Sequence, residues 1–160
     1  MHSSNSNLRQ YWLLKSEPHT YSIEDLQNAP SQKTVWEGVR NYQARNYLRE
    51  MQKGEEAFFY HSSCAQPAIM GTVLITRTAF PDPSACDPTS PYYDPKSSLT
   101  LPRWFMVEVQ LKQKFTAPLP LSLLKENPAL AKMPLVQKGN RLSVMPVRPA
   151  EWKAILTMFN

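Results

Sequence analysis

Residues 36 to 49 read WEGVRNYQARNYLR, the chain's densest set of groups able to recognise a flat or anionic ligand. On a helix, Asn41, Arg45 and Arg49 fall at i, i+4 and i+8 and make a polar stripe beside an apolar face. An Arg guanidinium presents a planar fork of donors that suits phosphate. A helix beginning near Asn41 would add free backbone N–H groups and the positive end of a dipole. The same stripe also describes a solvated helix face with a capping Asn, and periodicity leaves both readings standing. Trp36 precedes Gly38 and lies outside the stripe. Stacking a base on an aromatic ring is worth roughly 1–3 kcal/mol; the competing role for Trp36 is a plug in the core.

Two further clusters sit at the ends of predicted strands: Lys15-Ser16-Glu17 and Tyr60-His61-Ser62. If the strands are neighbours, these groups supply donors and acceptors to one concave mouth, the kind of edge recognition that a flipped-base pocket uses. The plainer reading is turn chemistry, with His61 a satisfied structural histidine. Trp104 opens a strand after a Pro-rich stretch and is either a second aromatic wall opposite Trp36 or a cover over the core. Arg141 and Ser143 share a face of the last predicted strand and either contact a phosphate or are solvated.

Much chemistry is missing. Four glycines (Gly38, Gly54, Gly71, Gly139) allow neither a dinucleotide fingerprint nor a P-loop. No paired Cys/His spacing suggests zinc, and His2, His19 and His61 are far apart. No metal and no cofactor is expected. No nucleophile elbow is present. Glu55 and Glu56 are adjacent, so on a strand they point to opposite faces and make no acid/base pair.

The elements that must position these groups are short. Residues 11–16 (YWLLKS) read as a buried strand. Ser22 caps a helix over 23–27, with Asp25 at the capping-box position. Residues 41–52 read as a helix whose Ala44, Tyr47, Leu48 and Met51 form one apolar face, stopped by Lys53-Gly54. Strands follow over 57–62 and 69–77, with a turn at 66–68. Residues 78–103 are rich in Pro, Asp and Ser; so long a structureless stretch suggests a functional lid or a disordered segment. Residues 104–111 alternate, with Phe105, Val107, Val109 and Leu111 on one face. Pro120 opens a short helix over 121–126, residues 141–147 (RLSVMPV) make the last strand, and Pro149 starts a closing helix. Strand runs with segregated helices indicate an α+β fold, a small barrel or curled sheet.

With 160 residues and 42% hydrophobic content, the chain fits one domain with its own core, taken as residues 11–160 after a frayed polar tail over 1–10. No apolar run approaches the roughly 20 residues that span a bilayer, and the start lacks the pattern of a secretory signal. Eighteen Lys and Arg against thirteen Asp and Glu give +5, which favours anionic partners. Cys64 and Cys86 form no framework, so a reducing, cytoplasmic setting is expected.

In order along the chain, YWLLKSEP (11–18), WEGVRNYQARNYLR (36–49), FFYHS (58–62), FPD (80–82), DPK (94–96), PRW (102–104) and RLSVMPV (141–147) resemble the EVE domain family. The match runs from about Tyr11 to Met158, and its second piece is highly specific. Phe80 stands where a Tyr is common. The resemblance implies a PUA-like fold, a curled, barrel-like sheet of about five to six strands with short helices around it. It also implies kinship with YTH domains, which hold a methylated adenine in an aromatic cage. By that analogy Trp36 and Trp104 are the cage walls. Lys15, Ser16, Asn41, Tyr60, His61 and Ser62 line the pocket, and Arg45 lies near its rim.

The leading expectation is a module that reads a modified base in DNA or RNA. In it Arg45, Arg49 and Arg141, with Lys96 or Arg103 from the loop as further candidates, hold the backbone. The runner-up is an enzyme acting on a base or nucleotide, with His61 and either Glu17 or Ser62 as its acid/base pair. A third is a small-molecule sensor using the same pocket. The residues do not name the base, the sugar or the oligomeric state.

Overall fold

The computed structural model describes residues 9–159 and shows six strands in one mixed sheet, ordered β2-β5-β4-β3-β1-β6. In chain order the elements are β1 (Tyr11–Ser16), α1 (Ile23–Gln27), β2 (Lys33–Trp36), α2 (Tyr42–Glu50), β3 (Glu56–His61), β4 (Ala68–Pro81), β5 (Phe105–Pro120), α3 (Leu121–Lys125), β6 (Val144–Val147) and α4 (Pro149–Phe159). The fold is α+β, as expected. The sheet curls but does not close, since β2 and β6 have no mutual pairing. β1 runs parallel to β3, Lys15 opposite Tyr60 and Ser16 opposite His61, while every other neighbour is antiparallel.

Alternation along the strands builds a core on each face. Trp12 and Leu14 of β1 join Ala57 and Phe59 of β3, Val73 and Ile75 of β4, Val107 and Val109 of β5, and Trp36. The apolar face of α2, through Ala44, Leu48 and Met51, closes this first core. The opposite residues, Leu13, Phe58 and Tyr60, face a second core under α3 and α4. There Trp152 stacks on Phe58 at 3.9 Å and on Tyr11 at 4.5 Å between ring centroids. Burying a Leu or Phe of this kind stabilises by about 1.5–3 kcal/mol.

Local capping follows the sequence closely. Asp25 N–H donates to Ser22 Oγ (3.1 Å) while Ser22 N–H donates to Asp25 Oδ2 (2.8 Å), a reciprocal capping box. Ala44 N–H donates to Asn41 Oδ1 at 2.9 Å, so Asn41 is the N-cap of α2.

Several expectations change. Trp36 lies in β2, an edge strand rather than a loop; four residues, KTVW, are too few to reveal alternation. β4 and β5 run well past the predicted 69–77 and 104–111, since their largely exposed ends pair without the apolar alternation that marks a strand in sequence. The last strand is only Val144–Val147, which leaves Arg141 and Ser143 ahead of it. Residues 78–81 belong to β4, and the segment after them is pinned rather than structureless. Of the expected tail 1–10, residues 1–8 lie outside the described residues. Arg9 donates to Gly54 O (2.7 Å), and Gln10 N–H donates to Glu55 Oε2 (3.0 Å). Glu55 is buried and also accepts from Trp12 Nε1 and Gln52 N–H, whereas Glu56 faces out to Lys112. Among the described residues no helix is long and apolar enough to cross a membrane.

Candidate functional site

The curl brings the C-terminal end of β1 across to β2 and encloses a cavity of about 550 Å³. That volume falls within the roughly 300–1,000 Å³ of small-ligand sites. Lys15 and Ser16 contribute from β1, Thr34, Val35 and Trp36 from β2, and Glu37 to Arg40 from the turn into α2. Tyr21, Tyr92 and Ser143 complete the walls. Exposed Glu17, Thr20, Val35 and Glu37 bring the lining out to the surface, while Trp36 and Val39 are buried within it.

Each wall is held from behind. Trp36 is 7% exposed and sets its ring edge-on to Phe59 at 5.3 Å, so it serves cavity and core at once. Ser16 Oγ donates to Tyr21 O at 2.6 Å, which fixes the hydroxyl and leaves its lone pairs able to accept. Gly38 adopts φ +83°, and a Cβ there would lie 2.7 Å from the Tyr92 ring. Only glycine allows that turn and that aromatic wall together.

A buried ion pair ties the two sides together. Asp82, 3% exposed, accepts from Gly38 N–H (2.9 Å), from Ser84 N–H and Oγ, and from Arg40 Nη1 (3.2 Å). Arg40 also donates to Tyr92 O and Ser84 Oγ and lies over the rings of Tyr92 and Trp104. Burial pushes the Asp82 carboxyl up, but the Gly38 and Ser84 donors and the Arg40 charge outweigh it, and its pKa falls below the ordinary value. Glu37, exposed as a residue but with its carboxyl partly desolvated against the cavity wall, moves the other way: that desolvation, then the nearby Asp82 charge, raise its pKa, with Arg40 opposing. Glu37, Arg40 and Asp82 were not singled out in the sequence, although Glu37 and Arg40 lie inside its most distinctive stretch.

The expected site residues divide. Lys15, Ser16 and Trp36 line the cavity. Trp104 does not line it: its ring is 6% exposed, stacks on Tyr42 at 4.9 Å and donates Nε1–H to Asp94 Oδ2 at 2.7 Å. Tyr92 is the aromatic residue that lines the cavity from the 78–103 segment. Asn41 is spent on its cap. Tyr60, His61 and Ser62 separate because neighbouring strand residues face opposite ways. His61 faces the first core, 7% exposed, with its ring against Phe59 and its Nε2 accepting from Ile23 N–H at 3.1 Å. Burial lowers its pKa, with Glu24 opposing. Neither partner proposed for His61 reaches it: Glu17 pairs with His19, and Ser62 lies on the other face.

Of the expected backbone residues, Arg45 donates to Arg103 O and Asn46 Oδ1 and lies over Tyr42, and Arg49 lies over Phe105. Neither lines the cavity. Arg141 lines a second groove together with Tyr60 and Ser62. Among the described residues no three His, Cys, Asp or Glu side chains are grouped to hold a metal ion.

Residues 10–158 match the EVE domain. The chain belongs to the EVE domain family. Human thymocyte nuclear protein 1 is 41% identical over 169 residues, covering 95% of this chain and 75% of that protein. The human protein has been solved in complex with DNA containing 5-methylcytosine. That structure matches with a TM-score of 0.90 at 40% identity, over 94% of this chain and 98% of the other. A protein from Pseudomonas syringae also has a TM-score of 0.90, at 50% identity, covering 94% and 99% of the two chains. The YTH domain of the MRB1 protein from Zygosaccharomyces rouxii, solved with N6-methyladenosine RNA, is alike in fold, with a TM-score of 0.54 at 13% identity over 96% and 88%. Within that match the WEGVRN stretch contributes β2's last residue and the turn that walls the cavity.

Proposed function

We propose that this EVE domain is a nucleic-acid-binding module that takes one modified base into the cavity between β1 and β2. The observation that carries the reading is that cavity itself, with the Trp36 and Tyr92 rings and a set of fixed polar groups around it. The 5-methylcytosine DNA bound by the human relative supports the same use and makes 5-methylcytosine the first base to try. Trp36 or Tyr92 offers a face for stacking. Glu37 offers a carboxylate able to accept from an exocyclic amine such as that of cytosine. Val35 and Val39 provide apolar surface against which a methyl group can rest. Ser16 and Lys15 stand at the opposite wall as acceptor and donor. The free thiols Cys64 and Cys86 support a cytoplasmic setting.

Fluorescence anisotropy with labelled DNA and RNA, each carrying one modified cytosine or adenine or none, tests the reading. One modification should tighten binding. Trp36→Phe, which keeps an aromatic ring against Phe59, and Glu37→Gln should each erase most of that preference without unfolding the domain. Equal binding of modified and unmodified strands by the parent protein would overturn the reading.

A further inference from the structure

A second groove, of about 1180 Å³, adjoins the cavity and shares Lys15, Glu17 and Ser143 with it. It is lined by the end of β3, by Leu121 and Lys125 at the two ends of α3, and by the connection into β6. Lys125, Lys138 and Arg141 line it, all exposed, and Lys15 stands on the shared wall. Among the described residues, none of these four cations takes part in an ion pair. The single carboxylate in the lining, Glu17, already faces His19 at 3.2 Å. Exposed cations usually find carboxylates or spread over a surface. Here they converge on one concavity without a carboxylate partner, Lys15 Nζ reaching only Asn140 Oδ1 at 3.4 Å, next to the place a base would occupy. Serine and amide groups, Ser62, Ser63, Gln137 and Asn140, stand between them. Alternating cations and neutral donors suit a run of phosphates better than a single anion.

We infer that this groove is the track for the phosphodiester backbone of a single strand running on from the base-binding cavity. It rests on the reading of the cavity for its direction, because the strand leaves across the shared wall at Lys15 and Ser143. The two can nevertheless be tested apart. Backbone recognition is indifferent to the base, so the groove holds an unmodified strand as well. Binding there releases counterions, and for single strands each neutralised phosphate contributes roughly 0.7 to the slope of log affinity against log salt.

The experiment measures anisotropy of a labelled single-stranded DNA about ten nucleotides long, a length matching single-strand sites, at salt from about 50 to 200 mM. It compares the parent protein with the variant Lys125→Ala/Lys138→Ala/Arg141→Ala. A charge-matched control, Lys33→Ala/Lys53→Ala/Lys153→Ala, removes exposed cations that do not line the groove. All proteins are first compared by circular dichroism and thermal melting to establish equal folding. The groove variant should lose about 2 from the salt slope on an unmodified strand, whereas the control should keep the parent's slope. A groove variant that matches the parent would overturn the inference, and so would a control that falls as far, or an unmodified strand that the parent does not bind. Loss of slope in the groove variant, with no preference for modified strands in the parent, would sustain the groove and remove the base reading alone.

Discussion

The sequence left His61 between a pocket role and that of a satisfied structural histidine, and its surroundings give it the structural one. Its neutral Nε2 accepts the Ile23 N–H at the start of α1, inside the first core. Burial lowers its pKa below 6.5, so between 6.5 and that lower value the unfolded chain takes up a proton that the folded one refuses. Stability from this contact is therefore whole above pH 6.5 and is lost as pH falls through the folded pKa. Urea midpoints measured from about pH 8 to about pH 5 should decline in the parent protein. They should decline less in His61→Gln, which can still accept from Ile23 but does not titrate in that range. Parallel curves would show that His61 is not the group responsible. The sequence made Tyr60, His61 and Ser62 look like one cluster because they are adjacent, yet a period of two sends His61 to one core and its neighbours to the other side. Lys15 and Ser16 were legible because they close a strand that the sequence shows, whereas Trp36, read as a loop residue, came from its aromatic type and the family resemblance. Glu37 and Arg40 were not, since nothing in a sequence says that a turn will lie against Tyr92 and Asp82, which are far along the chain.

Among the elements, the capped helices were the most legible and the long middle segment the least. Ser22, Asp25 and Asn41 announce their helix starts through side chains that bond to their own neighbours. The segment between β4 and β5 depends on distant partners instead. Pro83, Pro88, Pro91, Pro95 and Pro102 deny it regular pairing, and its order comes from Asp82 on Arg40 and Gly38 and from Asp94 on Trp104. It acts as a strap that carries Tyr92 to the cavity. Asp82→Asn removes a charged acceptor; hydrogen bonds to charged groups contribute about 1.5–3 kcal/mol, and a stability loss of that order is expected. Limited proteolysis should then cut within 83–103 faster than in the parent protein. Because the folded pKa of Asp82 is depressed, its contribution is present above pH 3.8 and is lost as pH falls through the folded value. The Asn variant should lack that part of the acid sensitivity. An unchanged cleavage rate would mean that the strap is held without Asp82.

At the scale of the whole molecule, the cavity exists because the sheet is curled: β2 and β1 stand first and fifth in the row yet share one concavity. The hydrophobic pattern revealed an α+β fold with strands around a core, but neither the second core on the opposite face nor the register shifts that bend the sheet are encoded in alternation. Those shifts run along the β4/β5 pair, and two of the four fall next to Gly71, at Ile69/Gly71 and Thr72/Val73. A Cβ at Gly71 would collide with the backbone of Gln113 and sit 2.8 Å from Ile23 Cδ1 and 3.1 Å from Lys114 Cα. Two of these neighbours are main chain and can yield only if β5 moves, so the absence of a side chain is what lets the strands approach at the bend. Gly71→Ala should therefore cost roughly 1–3 kcal/mol, as overpacking does. It should also weaken strand binding, although Gly71 touches neither the cavity nor the groove. Separating those effects calls for binding measured well below the melting transition, where the variant is fully folded. A folded Gly71→Ala protein with the parent's affinity would show that the cavity tolerates a flatter sheet; weaker binding in a folded variant would establish that curvature, set far from the ligand, is part of recognition.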